Sequence, residues 1–172
     1  ETACRLVTEI QGGVLAIQGP PGTGKTFAGA HMICACKQAG LKVGVTAVSH
    51  EVIVNLLEEA LQQAEQLGVE LSVIHKQSGE YDGNWPITRK DDYGKVLDGL
   101  ADGSIDVVGA TAWGWARPDH RETVDVLFLD EAGQMALGNT LAAAQGGKTL
   151  VMLGDPQQLE QPTQSSHPEH SD

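Results

Sequence analysis

The chain has 172 residues, 41% of them apolar, with charge scattered along its length. That suits one domain with a sizeable core and excludes a disordered chain. No apolar run is long enough to span a bilayer and no secretory leader is visible, so a cytoplasmic protein without membrane partners is expected. A formal net charge of −12 argues against a generally basic nucleic-acid surface, though not against a local groove. Cys4, Cys34 and Cys36 give an odd count without metal-type spacing, which reads as reduced thiols in an intracellular protein.

Residues 1–10 read as a helix, closed by Gly12-Gly13. Residues 14–18 (VLAIQ) are an apolar strand that stops at Gly19. Gly19-Pro20-Pro21-Gly22-Thr23-Gly24-Lys25-Thr26 then fits G-x-x-x-x-G-K-[ST], the P-loop. Its glycines let successive backbone N–H groups point inward around phosphate oxygens, and the helix that follows adds its positive end. Lys25 is placed to reach the β- and γ-phosphates of ATP, and the Thr26 hydroxyl to bind Mg²⁺. The helix over residues 25–38 is apolar on nearly every side, so it is expected to be buried between other elements.

Residues 41–48 (LKVGVTAV) read as a second buried strand. Ser49 or His50 is placed to cap a one-sided helix over residues 51–67, ended by Gly68. Residues 71–75 suit a short strand, in which His75 carries no specific signal. Residues 76–92 are polar and turn-rich and read as a surface excursion. A short helix over 93–101 and a strand over 105–110 follow. The strand over 124–129 (VDVLFL) ends in Asp130-Glu131. After a helix over 135–144, the strand over 149–153 ends in Gly154-Asp155-Pro156-Gln157-Gln158-Leu159. Residues 161–172 read as a polar tail or linker.

Short apolar strands alternating with helices predict an α/β fold, a parallel sheet with helices on both faces. Ligands in such sheets bind at the carboxyl ends of strands, where the P-loop, Asp130-Glu131 and Gly154–Leu159 all fall. An acid pair ending a buried strand is costly without a cation or water to meet it. Asp130 is therefore read as a Mg²⁺ ligand and Glu131 as the base for an attacking water. Trp113 and Trp115, with Arg117 close behind, suit either base stacking or core cover.

GPPGTGKT, VGVTAVSH, VVGATAW, FLDEAGQ and LGDPQQL resemble, in order and spacing, motifs I, Ia, Ic, II and III of superfamily 1 helicases. DEAGQ and GDPQQL look most like the 1B branch that includes the nonsense-mediated-decay helicases. Within it, the chain is similar to the helicase half of bacterial RecB-like putative nuclease proteins. The resemblance implies a RecA-like ATP-binding domain over residues 1–160. It implies that Lys25, Asp130, Glu131 and Gln158 serve ATP hydrolysis, with Gln158 sensing the γ-phosphate. It further implies that Thr46, Ser49, His50 and Thr111 touch the backbone of single-stranded DNA or RNA. His50 stands where Asn is common in that family. The second RecA-like domain, which carries the arginine finger, is absent from these residues, and no nuclease motif is recognisable. The chain is thus expected to be the first motor domain of a longer protein, with a fused nuclease as a possible neighbour. An AAA-type ATPase is the first alternative, since GPPGTGKT occurs there too; the strand end Gly154-Asp155 followed by Gln158 favours the helicase. A nucleotide-dependent binding switch without turnover is the second.

Overall fold

A computed structural model of the chain describes residues 1–155. Seven strands form one sheet: β1 (Gly13–Gln18), β2 (Val43–Thr46), β3 (Val73–Lys76), β4 (Ile87–Lys90), β5 (Val107–Gly109), β6 (Val124–Leu129) and β7 (Gly147–Gly154). Their order across the sheet is β1-β7-β6-β2-β5-β3-β4, and every pairing is parallel. Six α-helices accompany them among the described residues: α1 (Thr2–Glu9), which precedes β1, then α2 (Lys25–Gln38), α3 (His50–Leu67), α4 (Tyr93–Asp102), α5 (Ala112–Trp115) and α6 (Leu137–Ala144).

The near-continuous apolar strands are explained by burial on both faces. Alternate side chains of β2, β5, β6 and β7 (Val43, Val45, Val107, Val126, Phe128, Val151 and Leu153) pack with α1, α2 and α3 on one side. The residues between them (Val108, Leu127, Leu129 and Leu150) pack with α4, α5 and α6 on the other. This is an α/β P-loop NTPase architecture of RecA-like type, as the alternation of strands and helices predicts.

The helix α2 is apolar all round because it is buried by α1, α3 and the sheet; Met32, Ile33, Cys34 and Cys36 are fully buried. Burial pushes the Cys34 thiol up to about 11 and that of Cys36 to about 12, so both stay protonated and unreactive. Ser49 is the cap of α3: its hydroxyl accepts from the Val52 N–H at 3.3 Å.

Several elements differ from their sequence-based bounds. The second strand is shorter than residues 41–48, and the helix after β6 begins at Leu137, behind a 3₁₀ turn at Ala132–Gln134. The stretch 76–92 holds a strand that its turn signals conceal. β4 is four residues long and sits at the sheet edge, so only Ile87 needs to be apolar and no alternation is visible. Its charged Arg89 and Lys90 suit an edge that must not recruit another strand. The helix α5 was also not expected; it places Trp115 in the core, where its Nε1–H donates to the Val45 carbonyl at 3.1 Å. Gly44 makes room for that ring, since a Cβ there would lie 2.8 Å from Trp115 and from Leu127.

Among the described residues, no helix is long and apolar enough to cross a membrane.

Candidate functional site

The sheet pairing itself builds the site. β7 inserts between β1 and β6, in register from Gly13↔Thr149 to Gln18↔Gly154 and from Val124↔Gly147 to Leu129↔Met152. The ends of β1, β7 and β6 therefore lie side by side, and the P-loop leaves β1 beside the acid pair that ends β6. The Gly19 N–H donates to the Gly154 carbonyl at 3.2 Å, which extends the ladder into the loop. Gly22 and Gly24 take φ of +77° and +79°, left-handed values that favour glycine and turn the loop around a central hollow. Lys25 opens α2. Its ammonium donates to the carbonyls of Gly19 at 2.6 Å and Pro20 at 2.9 Å, so it lies back across the loop. The Thr23 hydroxyl donates to the Pro20 carbonyl at 2.7 Å and pins the turn.

A cleft of about 420 Å³ lies between these elements, lined by Pro21, Gly22, Gly24, Lys25, Thr26, Asp130, Glu131 and Gly154. It brings the P-loop and the acid pair together over a separation of more than a hundred residues. Gly154, the first residue of the stretch 154–159 that ends β7, lines the same cleft.

Asp130 is 4% exposed, and burial pushes its carboxyl up to about 6. The neighbouring Glu131 charge raises it further, while the Glu131 N–H (2.9 Å to Oδ1), Lys25 and the Thr26 hydroxyl oppose that rise. A buried carboxylate under this strain is suited to a cation, and the Thr26 hydroxyl beside it supplies a second oxygen. This donor set fits Mg²⁺, a hard ion that takes few protein ligands and keeps water and phosphate oxygens for the rest. Among the described residues no cluster of three or more His, Cys, Asp or Glu offers a competing metal site. Glu131 is half-buried and held at φ +52°, ψ +43°, a left-handed conformation that costs a non-glycine residue roughly 1–2 kcal/mol. Strain of that kind at a strand end re-aims the side chain and accompanies functional positions.

The residues expected on the nucleic-acid face do not all fall on an open surface. Thr46 is 0% exposed and its hydroxyl has no partner among the described residues. Its carbonyl instead accepts from the Asp130 N–H at 3.0 Å, which ties the end of β2 to the acid pair. Ser49 and Thr111 are half-buried, and the Ser49 hydroxyl is engaged as a helix cap. His50 is half-buried, and its Nδ1 lies 2.9 Å from Nε2 of His75. Trp113 is 79% exposed, whereas Trp115 is fully buried. The Lys76 ammonium and the Arg117 guanidinium lie 4.2 Å and 4.4 Å from the centre of the Tyr93 ring. Each also pairs with a carboxylate, Asp91 and Asp119, so this face is polar rather than strongly basic. Gln158 and the polar stretch 161–172 lie outside the described residues.

Comparisons with known proteins agree with this architecture. The arterivirus nonstructural protein 10 helicase, solved with DNA, matches with a TM-score of 0.56 at 17% identity, over 96% of this chain and 34% of that one. The PRRSV nsp10 helicase matches at 0.48 and 18% identity, over 99% of this chain and 29% of that one. A nuclease-deletion mutant of the Type ISP restriction-modification enzyme LlaGI, with a DNA substrate mimic, matches at 0.49 and 20%, over 89% and 16%. The chain thus spans at most about a third of these solved chains, and at 17% identity the likeness to the arterivirus helicase is one of fold. No curated protein matches. The family model described as "AAA domain" matches residues 1–168, a span that takes in every strand of the sheet and both walls of the cleft. On that match, the chain belongs to the AAA domain family.

Proposed function

We propose that this chain is the first, ATP-binding and ATP-hydrolysing motor domain of a superfamily 1 helicase of the 1B type. The observation that carries the reading is the single cleft that joins the P-loop to Asp130 and Glu131. The fold shared with the arterivirus helicase supports the same reading, and the DNA in that structure suggests the class of partner.

In this reading the loop N–H groups and Lys25 bind the phosphates of ATP, with Lys25 turning from the Gly19 and Pro20 carbonyls toward them. Thr26 and Asp130 hold Mg²⁺, which supplies charge neutralisation on the phosphates. Glu131 orients a water for attack on the γ-phosphorus and accepts its proton as the bond to the leaving ADP oxygen breaks. Gln158 senses the γ-phosphate. Single-stranded DNA or RNA crosses the neighbouring face near Ser49, His50 and Thr111, with Trp113 as a stacking platform.

A second RecA-like domain in the same polypeptide completes the site and supplies an arginine finger; a fused nuclease would match the RecB-like relatives. Without that finger the rate falls by roughly 10³–10⁵. The test measures ATP affinity of the chain and of Lys25→Ala, and ATP turnover with and without oligo(dT) or oligo(U). Lys25→Ala is expected to abolish binding, and turnover by the chain alone is expected to be slow. Unchanged ATP affinity in Lys25→Ala would refute the nucleotide site. Brisk strand unwinding by the 172 residues alone would refute the need for a second domain.

A further inference from the structure

The pair His50–His75 links the face beside the nucleotide cleft to the interior of the sheet. His50 is the first residue of α3 and His75 the third of β3; their rings share one hydrogen bond of 2.9 Å between Nδ1 of His50 and Nε2 of His75. His75 is 0% exposed, and its Nδ1 has no partner among the described residues. The pair must contain one proton between the rings, and two arrangements satisfy that. Either His50 donates, leaving a buried N–H at Nδ1 of His75, or His75 donates, leaving a buried lone pair there.

One observation selects the second arrangement. Arg89, the register partner of His75 on β4, brings positive charge to the same surroundings, which favours a lone pair over an N–H dipole. His75 therefore carries its proton on Nε2 and gives it to Nδ1 of His50. The remaining proton of His50 then sits on Nε2. That atom has no hydrogen-bond partner among the described residues and is not among the buried unpartnered atoms, so it reaches solvent.

We infer that His75 is a positioning residue that holds His50 in its neutral Nε2–H tautomer, so that His50 offers a fixed, uncharged donor to a phosphate oxygen at the head of α3. The phosphate is that of a single-stranded nucleic acid, so this part rests on the proposed function. The tautomer gives His50 the same capability as the Asn common at its position: one neutral N–H directed outward.

Charge on the pair is controlled from both sides. Burial first, then His50 and Arg89, push His75 down to about 4. Burial and Arg89 lower His50 as well, and only Glu51, on its own helix, opposes them. β5 faces His75 with Gly109, which has no charge. His75 is consequently neutral at physiological pH, and His50 takes up a proton less readily than a free imidazole.

The experiment records ¹⁵N-detected imidazole spectra of the labelled 172-residue chain between pH 6 and 8, together with binding of fluorescent oligo(dT) by the chain and its variants. Expected are an Nε2–H tautomer for His50 with a titration midpoint below that of a free imidazole, and binding weakened about tenfold in His50→Phe but retained in His50→Asn. His75→Phe removes the ring–ring bond that fixes the tautomer, so an Nδ1–H population of His50 should appear in its spectrum. An Nδ1–H tautomer, or a His50 that titrates near 6.5 in the wild-type chain, would overturn the inference; neither needs a His75 variant that folds. The expected spectrum without oligonucleotide binding would overturn the phosphate contact, and leave both the hold of His75 on His50 and the ATP site standing.

Discussion

Asp130→Asn isolates the cost of holding a carboxylate at the end of a buried strand. The substitution keeps shape and one oxygen for the Glu131 N–H, and removes the charge. In the folded chain Asp130 is raised from 3.8 to about 6, chiefly by burial. A carboxyl raised on folding binds protons more tightly in the native state. Its contribution to stability is thus fully present below the unfolded value and lost as pH rises through the folded one. A rise of roughly two units corresponds to about 3 kcal/mol of destabilisation at pH 8, about half of that at pH 5, and well under 1 kcal/mol at pH 4. Asp130→Asn is free of that cost. In the nucleotide-free chain with chelator present, its melting temperature is expected to exceed the wild type by about 6–12 °C at pH 8, and the gap to close toward pH 4. Addition of Mg²⁺ and a non-hydrolysable ATP analogue should stabilise the wild type and not the variant. Thermal unfolding across that pH series tests the reasoning. A gap that does not change with pH, or a variant less stable than wild type at pH 8, would refute charge burial as its source.

Three other substitutions address separate parts of the chain. Glu131→Gly relieves the left-handed backbone at φ +52° and is expected to raise the melting temperature by about 2–4 °C while ATP turnover is lost; an unchanged or lower value would remove the strain argument. Trp113→Ala, at a side chain 79% exposed, should leave thermal stability unchanged and weaken single-stranded oligonucleotide binding by about 1–3 kcal/mol; equal affinity would return Trp113 to an ordinary surface residue. Gly44→Val drives a side chain into Trp115, which is fixed by its bond to the Val45 carbonyl, and is expected to cost about 1–3 kcal/mol in denaturant unfolding; a neutral result would mean that the ring relocates freely.

What the sequence by itself determined was whatever is written in consecutive residues. Gly19–Thr26 specify a phosphate loop because its glycines, lysine and threonine act within one turn of chain. Asp130-Glu131 is legible because an acid pair directly after VLFL has few other uses. The apolar runs of β2, β5, β6 and β7 announce a sheet covered on both faces. The tertiary structure decided how these pieces meet. Only pairing between distant segments places β7 between β1 and β6 and so closes the cleft around the acid pair. Thr46, a small hydroxyl residue at a strand end, carries no local mark of burial; the place of β2 in the middle of the sheet, between β6 and β5, buries it. β4 escaped notice because an edge strand needs only one buried side chain. Gly44 acquires its meaning from Trp115, seventy-one positions later, and His50 from His75, twenty-five positions later. Hydrogen bonds and close packing act through space, and the chain order of their partners leaves no periodicity from which either could be read.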